Sequence, residues 1–323
     1  MHSPSVSVVM ATKNRSSLLP MAIESVRTQT FDDWELILVD DVSDDDTPEV
    51  IARYLAIEPR IRAFVNRDGR HCAGGAKSFG IDQRRGRFIA FLDDDDEWLP
   101  HHLTSMLEFV EANPDVDWVF GDYIRMEQDG TVYGDSWLKD WVNTYDYELR
   151  DGIEVFRSEP DNPGKTWRAQ PPASLGASVV RADIFSRVEM RPIPIREDLL
   201  LACEAIFSGA TFAFDRSIHF RYRMHAQNTS LAANNRSTEY RIKTLKNTCE
   251  YFDQALQHLG SNTQVRRAIE KDYADHLVWQ LGYSTFRANG MHREAVAHIW
   301  QGIRLHPSRL KYWKALLGAI LRR

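Results

Sequence analysis

The sequence has little of what would mark a specialised class. Its three cysteines, Cys72, Cys203 and Cys249, are odd in number, far apart and without a Cys-x-x-Cys pair. Neither a disulfide framework nor a zinc site is expected from them, and a reducing compartment fits. No stretch approaches the ~18 apolar residues of a membrane span, and residues 1–11 lack the basic and apolar regions of a signal peptide, so a cytoplasmic protein is expected. Positive charge is not in excess: 40 Lys plus Arg against 46 Asp plus Glu leave −6, which gives no support to nucleic acid as a partner. An anionic ligand must therefore meet local cations or a metal. With 43% hydrophobic and 27% charged residues, 17 Gly and 13 Pro, the composition excludes collagen-like and disordered chains. At ~150 residues per domain, the 323 residues suggest about two domains or one with an appended segment.

What is present is an alternation of strand-like and helix-like segments over the first ~115 residues, the pattern of βαβ units. Strands are expected at Val6–Met10, Trp34–Val39, Ile61–Val65 and Arg87–Leu92. Leu18, Leu19, Ala22, Ile23 and Val26 form one apolar helix face, with Ser16 as its expected cap, and Asp46 or Thr47 before Pro48 and Glu49 reads as a second helix start. A third helix follows Pro100 through Leu103, Met106, Leu107 and Val110. Three acidic clusters follow strand-like runs: Asp40–Asp41, Asp93–Asp96 and Asp122. Ligands of open α/β sheets bind at the carboxyl ends of strands, so these clusters are expected to converge on one crevice. Residues 125–175 read as loops and short elements covering that crevice, Glu197–Phe207 as a helix ended by Ser208-Gly209, and the chain from Ser237 on as helical. Within the last stretch, Tyr283, Phe286, Ala295, Ile299, Ile303 and Pro307 resemble one tetratricopeptide-type hairpin.

The run Asp93-Asp94-Asp95-Asp96-Glu97 lies between apolar FIAFL and Trp98-Leu99-Pro100. Two unit charges 4 Å apart repel by ~1 kcal/mol in water and ~4 kcal/mol at an effective dielectric of 20. A partly desolvated run therefore calls for a hard cation, Mn²⁺ or Mg²⁺, with phosphate oxygens completing its shell. The alternative is a solvated acidic turn.

Taken together, Ser5–Arg15 (SVSVVMATKNR), Ala22–Asp41 and Gly86–Pro100 (GRFIAFLDDDDEWLP), followed by Glu197-Asp198 and Tyr222–Ser230 (YRMHAQNTS), resemble the family 2 glycosyltransferases. That resemblance covers roughly residues 4–230. It implies an α/β fold of GT-A type, a Rossmann-like sandwich with a mixed, mostly parallel sheet. It also implies a metal-dependent inverting transferase that moves a sugar from a nucleotide-diphosphate donor, UDP first, to a hydroxyl of a glycan or lipid-linked acceptor. Cell-surface polysaccharide biosynthesis is the expected setting. The catalytic domain is expected over residues 1–235, with a helical cap over 236–323.

By the same resemblance Asp95 is the metal ligand, Asp93 and Asp94 hold the donor's ribose or diphosphate, and Asp41 accepts from a ring N–H of the base. Ala11, Lys13 and Arg15 flank that base, with Lys13 standing where many relatives carry an aromatic. Lys77, in GGAKSFG, supplies a point charge for phosphate. Asp198 is the expected general base, and Glu197, Arg223 and His225 are possible contacts of diphosphate or acceptor, with Arg221 beside them.

Each has a plainer reading: Asp41 as a turn cap, Lys77 as a solvated surface lysine, and the Glu197-Asp198 pair as acids favouring a helix N-terminus. The sequons at Asn228 and Asn235 carry no expectation without a signal peptide. The tail Ser308–Arg323 has five basic residues and no acid, with Leu310, Trp313, Leu316, Leu317, Ile320 and Leu321 on one stripe. It reads either as peripheral contact with an anionic membrane or as a terminal helix packed on the core with a basic outer face. Two other functions stay open. A nucleotide-sugar-forming nucleotidyltransferase would carry a Gly-rich loop after the first strand, which Thr12–Arg15 lacks. A non-catalytic glycan-binding or scaffold protein would bind sugar without turnover.

Overall fold

The computed structural model describes residues 3–67, 69–157, 163–171, 174–225, 228 and 237–321. The chain divides into two compact units, residues 1–160 with 169–225, and residues 161–168 with 226–323. The division falls at 225/226 rather than at 235/236, and a short helix from the middle of the chain joins the second unit.

The first unit begins with β1 (Val6–Thr12), α1 (Leu19–Arg27), β2 (Trp34–Asp40), α2 (Thr47–Ile57), β3 (Ile61–Val65), α3 (Ala73–Asp82) and β4 (Phe88–Phe91). The β-branched runs form these strands as expected, and Asp46, Pro48 and Glu49 open α2. Ser16 does not cap α1: its backbone N–H donates to Asp45 at 3.2 Å, and the helix opens at Leu19 beside Pro20. There follow in chain order β5 (Glu97–Trp98), α4 (His102–Ala112), β6 (Trp118–Glu127), β7 (Val132–Tyr133), β8 (Tyr147–Arg150), β9 (Ile153–Phe156), then α5 (Pro163–Ala169), most of which belongs to the second unit, and β10 (Ser178–Arg181), α6 (Glu197–Phe207) and β11 (Phe212–Met224).

Eleven strands among the described residues form one mixed sheet in the order β3-β2-β1-β4-β10-β6-β11-β9-β8, with β5 on β11 and β7 on β6. Neighbours run parallel from β3 to β4 and between β6 and β11, and antiparallel where β10 joins the two sets. Residues 125–175, expected as loops and short elements, supply the edge strand β8 and its neighbour β9, which pairs with β11. Successive side chains of a strand point to opposite faces. Val6, Val8 and Met10 accordingly pack with α1 and α4 through Ile23 and Met106. Val9 and Ile37 pack on the other face with α3 and α6 through Ala76 and Leu201.

Glycine lets α3 sit close. A Cβ on Gly80 would lie 2.6 Å from Val9 Cγ1, and one on Gly74 would lie 2.2 Å from the Arg191 carbonyl oxygen. The first contact presses α3 onto β1; the second presses its N-terminus onto the segment leading into α6, where Gly74 N–H donates to Ile193 O at 3.3 Å.

The second unit contains α7 (Thr238–Leu259), α8 (Thr263–Asp275), a π-helical segment His276–Arg287, α9 (His292–Leu305) and α10 (Leu310–Leu321). Ser237 caps α7 by accepting from Tyr240 N–H, and Gly290, at φ +74°, makes the turn into α9. The expected hairpin forms between the π-helical segment and α9. It is tight because a Cβ on Gly282 would lie 2.6 Å from Ile299 Cγ1 and one on Gly302 2.5 Å from Val278 Cγ2. Trp167 of α5 belongs here, donating from Nε1 to Asp272 at 2.9 Å.

Candidate active site

The site lies at the carboxyl ends of β1, β2 and β4, where strands give way to polar loops. The loop after β1 is fastened to the loop after β2: Asn14 N–H donates to Ser43 Oγ at 2.9 Å, Asp44 N–H to Asn14 Oδ1 at 2.8 Å, and Arg15 N–H to Thr47 Oγ1 at 2.9 Å. Val42 sits at φ +61°, a left-handed conformation costly for a β-branched residue. Ala11, in β1, is half-buried against the α3–α6 core.

Asp41 is 5% exposed. One of its carboxylate oxygens accepts from Asn66 Nδ2 at 2.8 Å and faces His71 Nδ1 at 2.9 Å, and Lys13 Nζ lies 3.8 Å from the other. Asn66 and His71 come from the loop after β3 and were not among the expected residues. The signal that could have found them is positional: they form a polar loop at a strand's carboxyl end, the same rule that singled out Asp41. Asn66 is fully buried, and its Oδ1 has no hydrogen-bond partner among the described residues.

The acid run after β4 is neither solvated nor uniform. Asp94 and Asp96 are buried, whereas Asp93 keeps half of its side chain in solvent. Burial, with repulsion from Asp95 and Asp93, pushes Asp94 up to about 8 against the pull of Arg15. Burial and the same two neighbours raise Asp96 well above the carboxylate range. Arg15 approaches Asp94 at 3.9 Å and Asp95 at 3.5 Å. His225 Nε2 lies 2.9 Å from Asp95 Oδ2, so one carboxylate and one imidazole converge.

Arg223, 2% exposed, braces the run from β11. Its backbone N–H donates to Asp96 at 2.9 Å, its Nε to the Asp95 carbonyl at 3.2 Å and its Nη1 to the Gln128 carbonyl at 2.9 Å, and it pairs with Glu97. Arg221 is the more exposed of the two and stands 3.8 Å from Glu97.

Lys77 is buried, which excludes the solvated-lysine reading. Its Nζ lies 2.9 Å from Asp93 Oδ1 and 2.9 Å from Glu197 Oε1. Burial alone would lower the ammonium's pKa; the two carboxylates outweigh it and hold the group charged. Glu197 and Asp198 open α6, as expected, after Arg196 at φ +61°. Asp198 is pushed up to about 6 by burial and by Glu197, with Lys77 opposing.

Asp122 does not join the site. It lies inside β6, buried, and its carboxylate accepts from Leu138 N–H at 2.9 Å and Tyr123 N–H at 2.7 Å, which fixes the segment after β7. Residues 226–227 and 229–236, which hold most of both sequons and the end of the YRMHAQNTS motif, fall outside the described residues.

Residues 7–167 match the family model Glycosyl transferase family 2. The chain belongs to glycosyl transferase family 2. Among its relatives is the GalNAc(5)-diNAcBac-PP-undecaprenol beta-1,3-glucosyltransferase of Campylobacter jejuni, 39% identical over 129 residues, which are 40% of this chain and 41% of that protein. The chain thus spans less than half the length of this family 2 relative. Among solved structures, S. aureus TarS in complex with UDP-GlcNAc has a TM-score of 0.63 at 13% identity, covering 93% of this chain and 81% of that one. A mannosyltransferase of Pyrobaculum calidifontis in complex with GDP-Man and Mn²⁺ has a TM-score of 0.55 at 14% identity, covering 99% and 86%. At these identities the structural likeness establishes the α/β fold alone.

Proposed function

We propose that the chain transfers a sugar from a nucleotide-diphosphate donor to a hydroxyl of a lipid-linked glycan, with inversion at the anomeric carbon, in the assembly of a cell-surface polysaccharide. The observation that carries this reading is the Lys77 bridge. One buried ammonium joins Asp93 of the acid run to Glu197, beside the carboxyl of Asp198 with its pKa near the working range. Donor-side acids and a candidate base are thereby held together.

Asp198 takes the acceptor hydroxyl's proton as its oxygen attacks the anomeric carbon and the bond to the diphosphate breaks on the opposite side. A pKa of about 6 suits a base, ionised at neutral pH and still able to accept a proton. Glu197 keeps Lys77 in place, and Arg223 keeps the acid run in register. Asp41, held by Asn66 and His71, receives a ring N–H of the base. UDP is the first candidate because uracil offers one such group, and Lys13 supplies charge there rather than a stacking ring.

Asp95 and His225 would hold Mn²⁺ or Mg²⁺. Their donors converge within 2.9 Å, and no group of three or more His, Cys, Asp or Glu among the described residues could hold a metal alone. Diphosphate oxygens and water must then complete the shell, the usual arrangement for hard cations at phosphate sites. Bound there, the cation would neutralise charge developing on the leaving diphosphate. The acceptor assignment draws on the Campylobacter relative, whose name specifies an undecaprenol-linked glycan.

Asp95→Asn should abolish metal-dependent UDP binding, while Asp198→Asn should keep binding and lose transfer. Purified protein that, with Mn²⁺ or Mg²⁺, neither binds nor hydrolyses UDP-, GDP- or TDP-sugars would end this reading.

A further inference from the structure

The last helix is amphipathic twice over. Tyr312, Ala315 and Ala319 of α10 are buried in a core with Ala274, Val278, Ile299 and Ile303, and Leu316 packs against it. That face satisfies the helix's own folding. On the other side Leu310 is 76% exposed, Trp313 39%, Leu317 56%, Ile320 49% and Leu321 77%. At 100° per residue these five fall within about 100° of arc. Trp300 of α9, 46% exposed, extends the patch, its ring 5.9 Å from that of Trp313 and nearly perpendicular to it. A basic outer face is expected of a terminal helix packed on a core; α10 does pack, yet its outer face is apolar.

The charges flanking the patch that have no ion pair among the described residues are basic. Lys314 follows Trp313 at its edge, and Arg304 lies one turn beyond Trp300 on α9; among the described residues neither has an ion pair. Lys311 is half-exposed and shares Asp275 with Arg309. The helix carries no acid, and the sequence ends in Arg322-Arg323, beyond the described residues. No helix among the described residues is long and apolar enough to cross a membrane.

We propose that α10 and Trp300 form a docking face for an anionic lipid surface. Leucine, isoleucine and tryptophan enter the headgroup region while Lys314 and Arg304 remain among the lipid phosphates. Two observations select lipid over a second copy of the chain. Lys314 and Arg304, which flank the patch with no ion pair among the described residues, are both cationic and would repel their counterparts on a second copy, and the adjoining indoles of Trp300 and Trp313 favour the interface between water and hydrocarbon. The proposal deepens the functional reading above, since an acceptor on a polyprenyl diphosphate is presented at such a surface.

The test is flotation of the full chain with vesicles of equal parts phosphatidylglycerol and phosphatidylcholine, against phosphatidylcholine alone. Donor hydrolysis and transfer to a soluble short-chain acceptor are followed in parallel. The wild type should float with the anionic vesicles, with a blue shift of tryptophan emission and weaker binding at high salt. Leu317→Asp with Leu321→Asp should reduce partitioning about tenfold or more and leave both activities unchanged. Arg304→Gln with Lys314→Gln should reduce it less and flatten the salt dependence. Leu321→Asp alone, at the helix end, keeps the test valid should the double variant unfold. Absence of flotation, or flotation unaffected by the Leu317 and Leu321 changes, overturns the proposal. A dimer in light scattering that these substitutions dissociate, without vesicle binding, overturns it in favour of a second copy. Flotation without any sugar transfer would instead refute the transferase reading and leave the docking face standing.

Discussion

The two units break the ordinary rule of inside and outside in opposite ways. The first buries charge: Lys77, Asp94, Asp96, Glu197 and Arg223 all have less than a tenth of their surface in solvent. The second exposes apolar side chains along α10. Singly exposed leucines are unremarkable, and buried charges survive only when paired, so a cluster of either kind points to an interaction outside the fold itself. The opposition matches the two proposals above, a charged ligand for the first unit and a low-dielectric surface for the second.

The largest effect should come from the proposed general base, Asp198. Asp198→Asn should lower kcat by about a thousandfold, the scale of a lost general base, with UDP affinity unchanged. A loss of affinity equal to the loss of rate would make Asp198 a donor-binding residue instead. Next in size is the buried pairing: Lys77→Met strands Glu197, 7% exposed, without its cation and should cost about 3 kcal/mol in urea denaturation. A near-neutral result would show that the bridge is not held in the dry surroundings described.

The pH profile sharpens the same point. Asp198 acts as a base only when ionised, and the groups facing it are Glu197, Asp93 and Lys77. Below its pKa of about 6, kcat should fall about tenfold per pH unit, and it should level off above. A profile flat from pH 5 to 8 would remove Asp198 from the proton transfer.

Val42→Gly should stabilise the fold by about 1 kcal/mol, because glycine accepts φ +61° without strain. An unchanged denaturation midpoint would mean the strain is relieved elsewhere. Leu317→Asp, on the exposed face, should change stability by less than about 0.5 kcal/mol. A larger loss would show that this face is covered within the chain, and the contrast between the units would fail.

Much of this was legible in the residues. β1 to β4 and α6 follow from β-branched runs and apolar spacing, and the positions of Asp41, Asp93–Asp95 and Asp198 follow from motif order. Long-range packing was not legible. The burial of Lys77 between Asp93 and Glu197 could not be read, because nothing local shows that Gly74 lets α3 close on the segment before α6. Asp122 resembled the other strand-end acids, yet β6 runs on through it to Glu127 because β11 pairs along its whole length. β8 is an exposed edge strand without the burial that gives a strand its apolar signal, and β9, though mostly buried, is only four residues long, so this stretch read as loops and short elements. The outward stripe of α10 could be read in the sequence, but only burial of Tyr312, Ala315 and Ala319 shows that it is left over after the helix has packed.

A cation held by Asp95 and His225 beside a nucleotide diphosphate is the central element of the proposed function. The direct measurement is thermal denaturation of the wild type and of Asp95→Asn with UDP, with and without Mn²⁺. Ligand at a hundred times its Kd should stabilise the wild type by about 2.7 kcal/mol with the metal, little without it, and Asp95→Asn in neither case. Equal stabilisation by UDP with and without Mn²⁺, retained in Asp95→Asn, would contradict the account.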